Sequence, residues 1–344
     1  MRYATILLLI AGSALLGFTL SHVDLGQAWS RLHDVGWSGI AVLGGLLLAA
    51  SLTQAGILIE TVPSARAIPR RLSALWKVWM VGEAFNTVTP LGSFGGEPVK
   101  AGLLKKHHGV GLREATAALV LAQTINIIAL VVFLVAGVGL MLRSEGIPSA
   151  YRVTAGSALA GFGGCVLLLF LTQRLGVLSR VGRRFAGTRF GGRAESLVAL
   201  IHDVEHRLIA FYTGQRRRFA LAAALAFGYW ACGMLRTYTT MACLGRPIGW
   251  RDAWMIEAGL LLVRSVLFLV PGNLGTQEAA LVVTSRAVTG SSTLGLAMAL
   301  VRRALELAWV GVGLLVGWTF SWAPEAPPEV LSGSGPPPAP DLPT

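Results

Sequence analysis

Thr89-Pro90-Leu91-Gly92-Ser93-Phe94-Gly95-Gly96 and Pro271-Gly272-Asn273-Leu274-Gly275 each interrupt a long apolar stretch, and their match decides the fold. Proline removes a backbone donor and collides with the preceding turn, and glycine supplies the reversal that follows. The surrounding stretches, residues 72–105 and 253–289, therefore read as helical hairpins, one turning at Pro90, Gly95 and Gly96, the other at Pro271, Gly272 and Gly275. At one constant offset Pro90 matches Pro271 and Glu97 matches Glu278. About two turns before each proline stands an ionisable residue, Glu83 in the first hairpin and Arg264 in the second. Each hairpin is preceded by one apolar run and followed by another, so the chain reads as two repeated halves, about 37–142 and 219–320.

Working outward, the runs themselves require a membrane. Of the 344 residues 54% are hydrophobic and only 13% charged, against about 25% charged in average soluble domains. Six runs approach or exceed the roughly 20 residues that cross hydrocarbon: Tyr3–Leu20, Trp37–Thr61, Ala115–Leu142, Val153–Leu171, Phe219–Leu244 and Leu294–Phe320. The expected fold is all-α, a polytopic helix bundle over residues 1–321 with an inverted repeat and two re-entrant hairpins. A proline-rich tail, 322–344, reads as disordered. Tyr3–Leu20 lacks a clear small-residue cleavage site and reads as an uncleaved first helix.

The net charge of +12 would suit nucleic acid, but the basic residues gather in the connections between apolar runs and form no nucleic-acid-binding module. With the N-terminus inside, nineteen lysines and arginines fall in inner connections, ten of them in the loop 172–218. Only Arg31, Arg143, Arg152, Arg246, Arg251 and Arg286 fall outside. The asymmetry predicts both termini in the cytoplasm of a cell inner membrane. The first hairpin then enters from inside and the second from outside, the inverted arrangement of many transporters. Within the inner loop Leu197, Leu200, Ile201, Val204, Leu208 and Phe211 share one helical stripe, which fits a segment lying on the anionic inner leaflet.

A broken helix leaves backbone groups bare at membrane depth, which is tolerated only within protein or beside a wet cavity. Glu97 and Glu278 open the second arm of each hairpin, where a carboxylate complements the helix dipole by about 0.3–1 kcal/mol; as ionisable groups at depth they are also candidate substrate contacts. Arg302, Arg303 and Glu306 stand within one turn of each other, either as an internal ion pair or as a phosphate clamp with Arg303 the binding group. Gln123 and Asn126 are the polar step of the matching first-half helix, suited to interhelical bonding or to the cavity. Arg264 is expected to pair with Glu83 or Glu257. His202 and His206 have a metal-compatible spacing but sit on the polar face of the loop helix, and His107-His108 reads as solvated. Cys165, Cys232 and Cys243 lie in apolar segments without disulfide or zinc spacing. No catalytic set, metal site or cofactor motif emerges, which points away from an enzyme.

Gly96-Glu97-Pro98-Val99-Lys100-Ala101-Gly102-Leu103-Leu104 resembles the characteristic loop of the lysylphosphatidylglycerol synthase transmembrane-region family, also called flippase-like. Pro271-Gly272-Asn273-Leu274-Gly275-Thr276-Gln277-Glu278-Ala279-Ala280 resembles its second signature, and the resemblance covers residues 1–321. The stretch from Val263-Arg264-Ser265 to Trp318 is also similar to hopanoid-biosynthesis-associated members. The resemblance implies translocation of lipid between leaflets, best supported for aminoacylated phosphatidylglycerol. It does not imply synthesis, because the synthase members carry a large soluble domain and this sequence ends soon after its last span. Where the family carries a charged step in the first half, this sequence has Ala122-Gln123 and then Asn126.

The expected function is a flippase or lipid-precursor transporter for an anionic phospholipid or a polyprenyl- or hopanoid-type lipid. The alternative is a non-transporting scaffold for a partner lipid-synthesis enzyme. Topology is directly testable: cysteines placed singly at Ser149 and Ser196 should react with an impermeant label from opposite sides of the membrane, Ser149 from outside. Equal labelling of both from one side would refute the assigned orientation.

Overall fold

The computed structural model describes residues 25–88, 95–174, 214–266 and 275–321, together with Phe211. The first apolar run, Pro90, Pro271, Gly272, the histidine pair of the basic loop and the proline-rich tail lie outside these residues. The described residues form nine α-helices: α1 (Leu25–Thr61), α2 (Arg71–Val88), α3 (Gly96–His108), α4 (Leu112–Arg143), α5 (Ser149–Arg174), α6 (Arg216–Cys243), α7 (Trp250–Val266), α8 (Thr276–Thr289) and α9 (Ser292–Ser321). A short 3-10 turn, Pro63–Ala67, joins α1 to α2. α1 is bent at Gly36, whose φ of 72° and ψ of 164° are non-helical.

Both broken stretches become pairs of packed helices, α2 with α3 and α7 with α8. The short second arms are built alike. Glu97 and Glu278 stand in their first turns, basic residues stand in their last, and each ends on a glycine in the left-handed region, Gly109 (φ 66°) and Gly290 (φ 77°). The acid-first, base-last order complements the helix dipole, and the left-handed cap satisfies the last carbonyls. Glycine also sets how close the arms come. A side chain on Gly96 would run into the Gly82 carbonyl across the first hairpin. The Gly96 N–H instead donates to Asn86 Oδ1 at 2.6 Å.

The packing has a two-fold pattern. Exchange α1 with α6, α2 with α7, α3 with α8 and α4 with α9, and each principal contact among these helices maps onto another: α2–α9 onto α7–α4, α1–α9 onto α6–α4, α3–α4 onto α8–α9. The α1–α6 contact maps onto itself and is the most extensive. α5 stands outside the pattern and rests on α4 and α7. Three apolar clusters fill the interior, one around Ile57, Leu75, Leu104 and Ile125, one around Phe133, Leu134 and Ala258, one around Met241, Leu260, Leu281 and Ala299. The Phe133 ring stacks on Trp254 with centroids 5.2 Å apart.

The outside is apolar as well: Val153, Leu167, Leu168, Leu315 and Trp318 are all more than half exposed. Four helices, His33–Thr61, Leu112–Arg143, Ser149–Leu168 and Arg216–Cys243, are long and apolar enough to cross a membrane. In lipid, helices gain little from hydrophobic burial against each other, so close packing and polar contacts hold them. Gln54 of α1 and Asn126 of α4 supply one such contact, exchanging amide hydrogen bonds of 2.9 and 3.1 Å in the buried interior.

The glycine contact gives a stability prediction. Gly96→Ala should destabilise the purified protein by about 1–3 kcal/mol through overpacking against a backbone carbonyl, read as a lower melting temperature in detergent. Gly139→Ala, where an added methyl meets open space, should not lower it.

Candidate functional site

Between the two halves lies a cavity of about 140 Å³. α1 and α2 contribute a largely apolar wall with Leu47, Ala50, Trp79, Met80 and Glu83; α6 adds Tyr229, Trp230 and Arg236; α7 adds Glu257, Leu261 and Arg264; α9 adds Arg302, Arg303, Glu306 and Trp309. At 1.5 Å rise per residue, Arg302 stands about 15 Å along α9, Arg264 about 21 Å along α7 and Glu83 about 18 Å along α2.

Four arginines therefore meet in one chamber, and two of them are held by carboxylates. Arg302 donates from Nη1 to both Glu257 oxygens at 2.8 and 3.1 Å, and from Nε to Glu306 Oε1 at 3.3 Å. Arg303 donates from Nε and Nη2 to Glu278 Oε1 at 2.9 and 2.7 Å, and its Nη1 lies 3.7 Å from Glu306 Oε2. Gln277 donates to Glu306 Oε2 at 3.0 Å and Thr237 to Glu257 Oε2 at 2.7 Å. The resulting chain, Glu278–Arg303–Glu306–Arg302–Glu257–Thr237, ties α8, α9, α7 and α6 together. Glu257 is 1% exposed and Arg303 2%, so each charge depends on its neighbour for solvation. Gly233 of α6 leaves the room: a Cβ there would stand 2.7 Å from Glu257 Oε1.

The other two arginines differ. Among the described residues neither Arg236 nor Arg264 has an ion-pair partner, and Arg236 Nε is buried without a hydrogen-bond acceptor. The pairing expected of Arg264 with Glu257 is not formed, because Arg302 occupies that carboxylate. Glu83 lines the chamber and accepts a 3.2 Å bond from Asn86.

The residues singled out in the sequence are not all gathered here. Arg303 and Glu306 line the chamber, and Glu278 stands behind Arg303. Glu97 is bound to Lys100 Nζ at 2.7 Å one turn along α3, away from the chamber. Asn126 is buried in its pair with Gln54, and Gln123 is exposed on α4. Gly95, Gly96 and Gly275 stand at the described edges of the two breaks. Arg236 escaped the sequence reading. Its signal was a lone arginine within the apolar run Phe219–Leu244, about 10 Å from the end of α6.

The model of the family described as "Lysylphosphatidylglycerol synthase TM region" matches residues 5–314. No curated protein and no solved structure matches the chain.

The ion-pair chain predicts that single and double variants are not additive. Arg302→Gln and Glu257→Gln should each destabilise by about 3–5 kcal/mol, since each strands a buried charge. The double variant Arg302→Met/Glu257→Leu should melt above the worse single one. Additive losses in a detergent melting series would refute the coupling.

Proposed function

Since the chain belongs to the lysylphosphatidylglycerol synthase TM region family, an all-helical membrane protein family linked to lipid, we propose that it carries an anionic lipid between the leaflets of the inner membrane. It does so without covalent chemistry. One observation supports this above the others: a chamber between the two halves, set in an apolar exterior, where four arginines face three glutamates and a tryptophan-rich wall.

The physical task is to lower the cost of a head group in hydrocarbon, where an unpaired charge costs several kcal/mol even after relaxation. A chamber with fixed charges replaces the water that the head group loses. The tails remain in lipid against the apolar outer faces of the helices. In this reading the chain from Glu278 to Glu257 is the rigid floor, and Arg303, enclosed by Glu278 and Glu306, keeps the floor charged without trapping a phosphate outright. A carrier needs that balance, because it must release what it binds. In this reading the two hairpins enter from opposite membrane sides, and the N- and C-termini lie in the cytoplasm.

Reconstitution tests this reading. Vesicles containing the protein should move a fluorescent phosphatidylglycerol analogue between leaflets faster than protein-free vesicles, and faster than they move the phosphatidylcholine analogue. Equal rates with and without protein would overturn it.

A further inference from the structure

The chamber contains two kinds of arginine. Arg302 and Arg303 spend their donors on Glu257, Glu306 and Glu278. Arg236 and Arg264 line the same cavity from α6 and α7, and no described carboxylate pairs with either. A desolvated guanidinium without an acceptor costs several kcal/mol, and a fold keeps one only where a compensating group arrives. Tyr229 lies two turns before Arg236 on the same face of α6 and lines the same cavity. Two guanidinium groups and a neutral hydroxyl thus open onto one space.

We propose that Arg236 and Arg264, with the Tyr229 hydroxyl, bind the phosphate of an anionic phospholipid head group. The proposal rests on the lipid reading above and moves the binding role from Arg303 to these two residues. Guanidinium matches phosphate oxygens in a fork, and the surrounding low dielectric strengthens the pairing. Arg302 and Arg303 are engaged by Glu257, Glu306 and Glu278, while Arg236 and Arg264 share the cavity with one further carboxylate, Glu83. Glu83 also limits how firmly the anion is held.

The stability signature separates a binding residue from a structural one. Removing a half-buried cation that no described carboxylate pairs should not cost the ligand-free protein stability, whereas removing a paired one should.

The test uses the full chain in lipid-free detergent, titrated with phosphatidylglycerol and, separately, with inorganic phosphate. Arg236→Gln and Arg264→Gln should each weaken phosphatidylglycerol binding at least tenfold, Arg236→Lys less, while the ligand-free melting temperatures match or exceed that of the wild type. Arg302→Gln should melt lower. Displacement of phosphatidylglycerol by millimolar inorganic phosphate would identify a site that also reads the free anion; no displacement would identify the lipid as its source, and both results support the site. Binding within twofold of wild type in both Gln variants overturns the proposal, as does an Arg236→Gln melting loss as large as that of Arg302→Gln. If the wild type binds through Arg236 yet moves no lipid in vesicles, the transport reading fails and the site stands. If Arg236→Gln and Arg264→Gln bind and move lipid as the wild type does, the site fails and transport stands.

Discussion

A guanidinium in hydrocarbon is costly without a partner, and the alternation of carboxylate and guanidinium from Glu278 to Glu257 pairs two of the chamber's four. Each link is good only while the next one holds. Glu306 is shared between Arg302 and Arg303, so neither arginine can shift without releasing the other. Because the links come from α7, α8 and α9, with Thr237 of α6 at the end, the second half is tied through its charges as well as through its apolar cluster. In lipid that distinction matters, since apolar side chains gain little by leaving tails for one another.

The first half is held differently. Its polar step is neutral, Asn126 in an amide exchange with Gln54, and its wall of the chamber is mostly Trp79, Met80 and aliphatic carbon. Two halves with the same contact pattern therefore have unequal chemistry. The chamber is charged along α6, α7 and α9 and largely apolar along α1 and α2, apart from Glu83, Asn86 and Thr87. Under the proposed function the charged wall would receive the head group and the apolar wall the beginning of an acyl chain.

The fold was legible because its signals are backbone signals. Prolines and glycines mark where a helix must stop, and the match of Glu97 with Glu278 carried over to arms that start and end alike. The run Trp37–Thr61 began one residue past the bend at Gly36, where hydropathy and geometry agree. Site residues were legible only where a charge stood out from its helix, as Arg303 and Glu306 do. Arg236 was lost because averaging over Phe219–Leu244 absorbs a single charge. Gln123 and Asn126 could not be separated, because a membrane helix is apolar all round and no polar face reveals its phase. One of them is buried against α1 and the other is exposed. Glu257 was visible as a charge, but only the fold could show that α9 rather than its own helix supplies its partner.

α5 belongs to neither half, and its place in the chain has a consequence of parity. A half that crosses once, dips and returns, and crosses again delivers the chain to the side it started from, however deep the dip reaches. Two such halves joined by a loop alone would lie parallel. α5 is long and apolar enough to make one crossing between them, and an odd number of crossings would set the second half upside down relative to the first. What such a helix would supply is a count: among the described residues α5 contributes nothing to the chamber and has its principal contacts with α4 and α7.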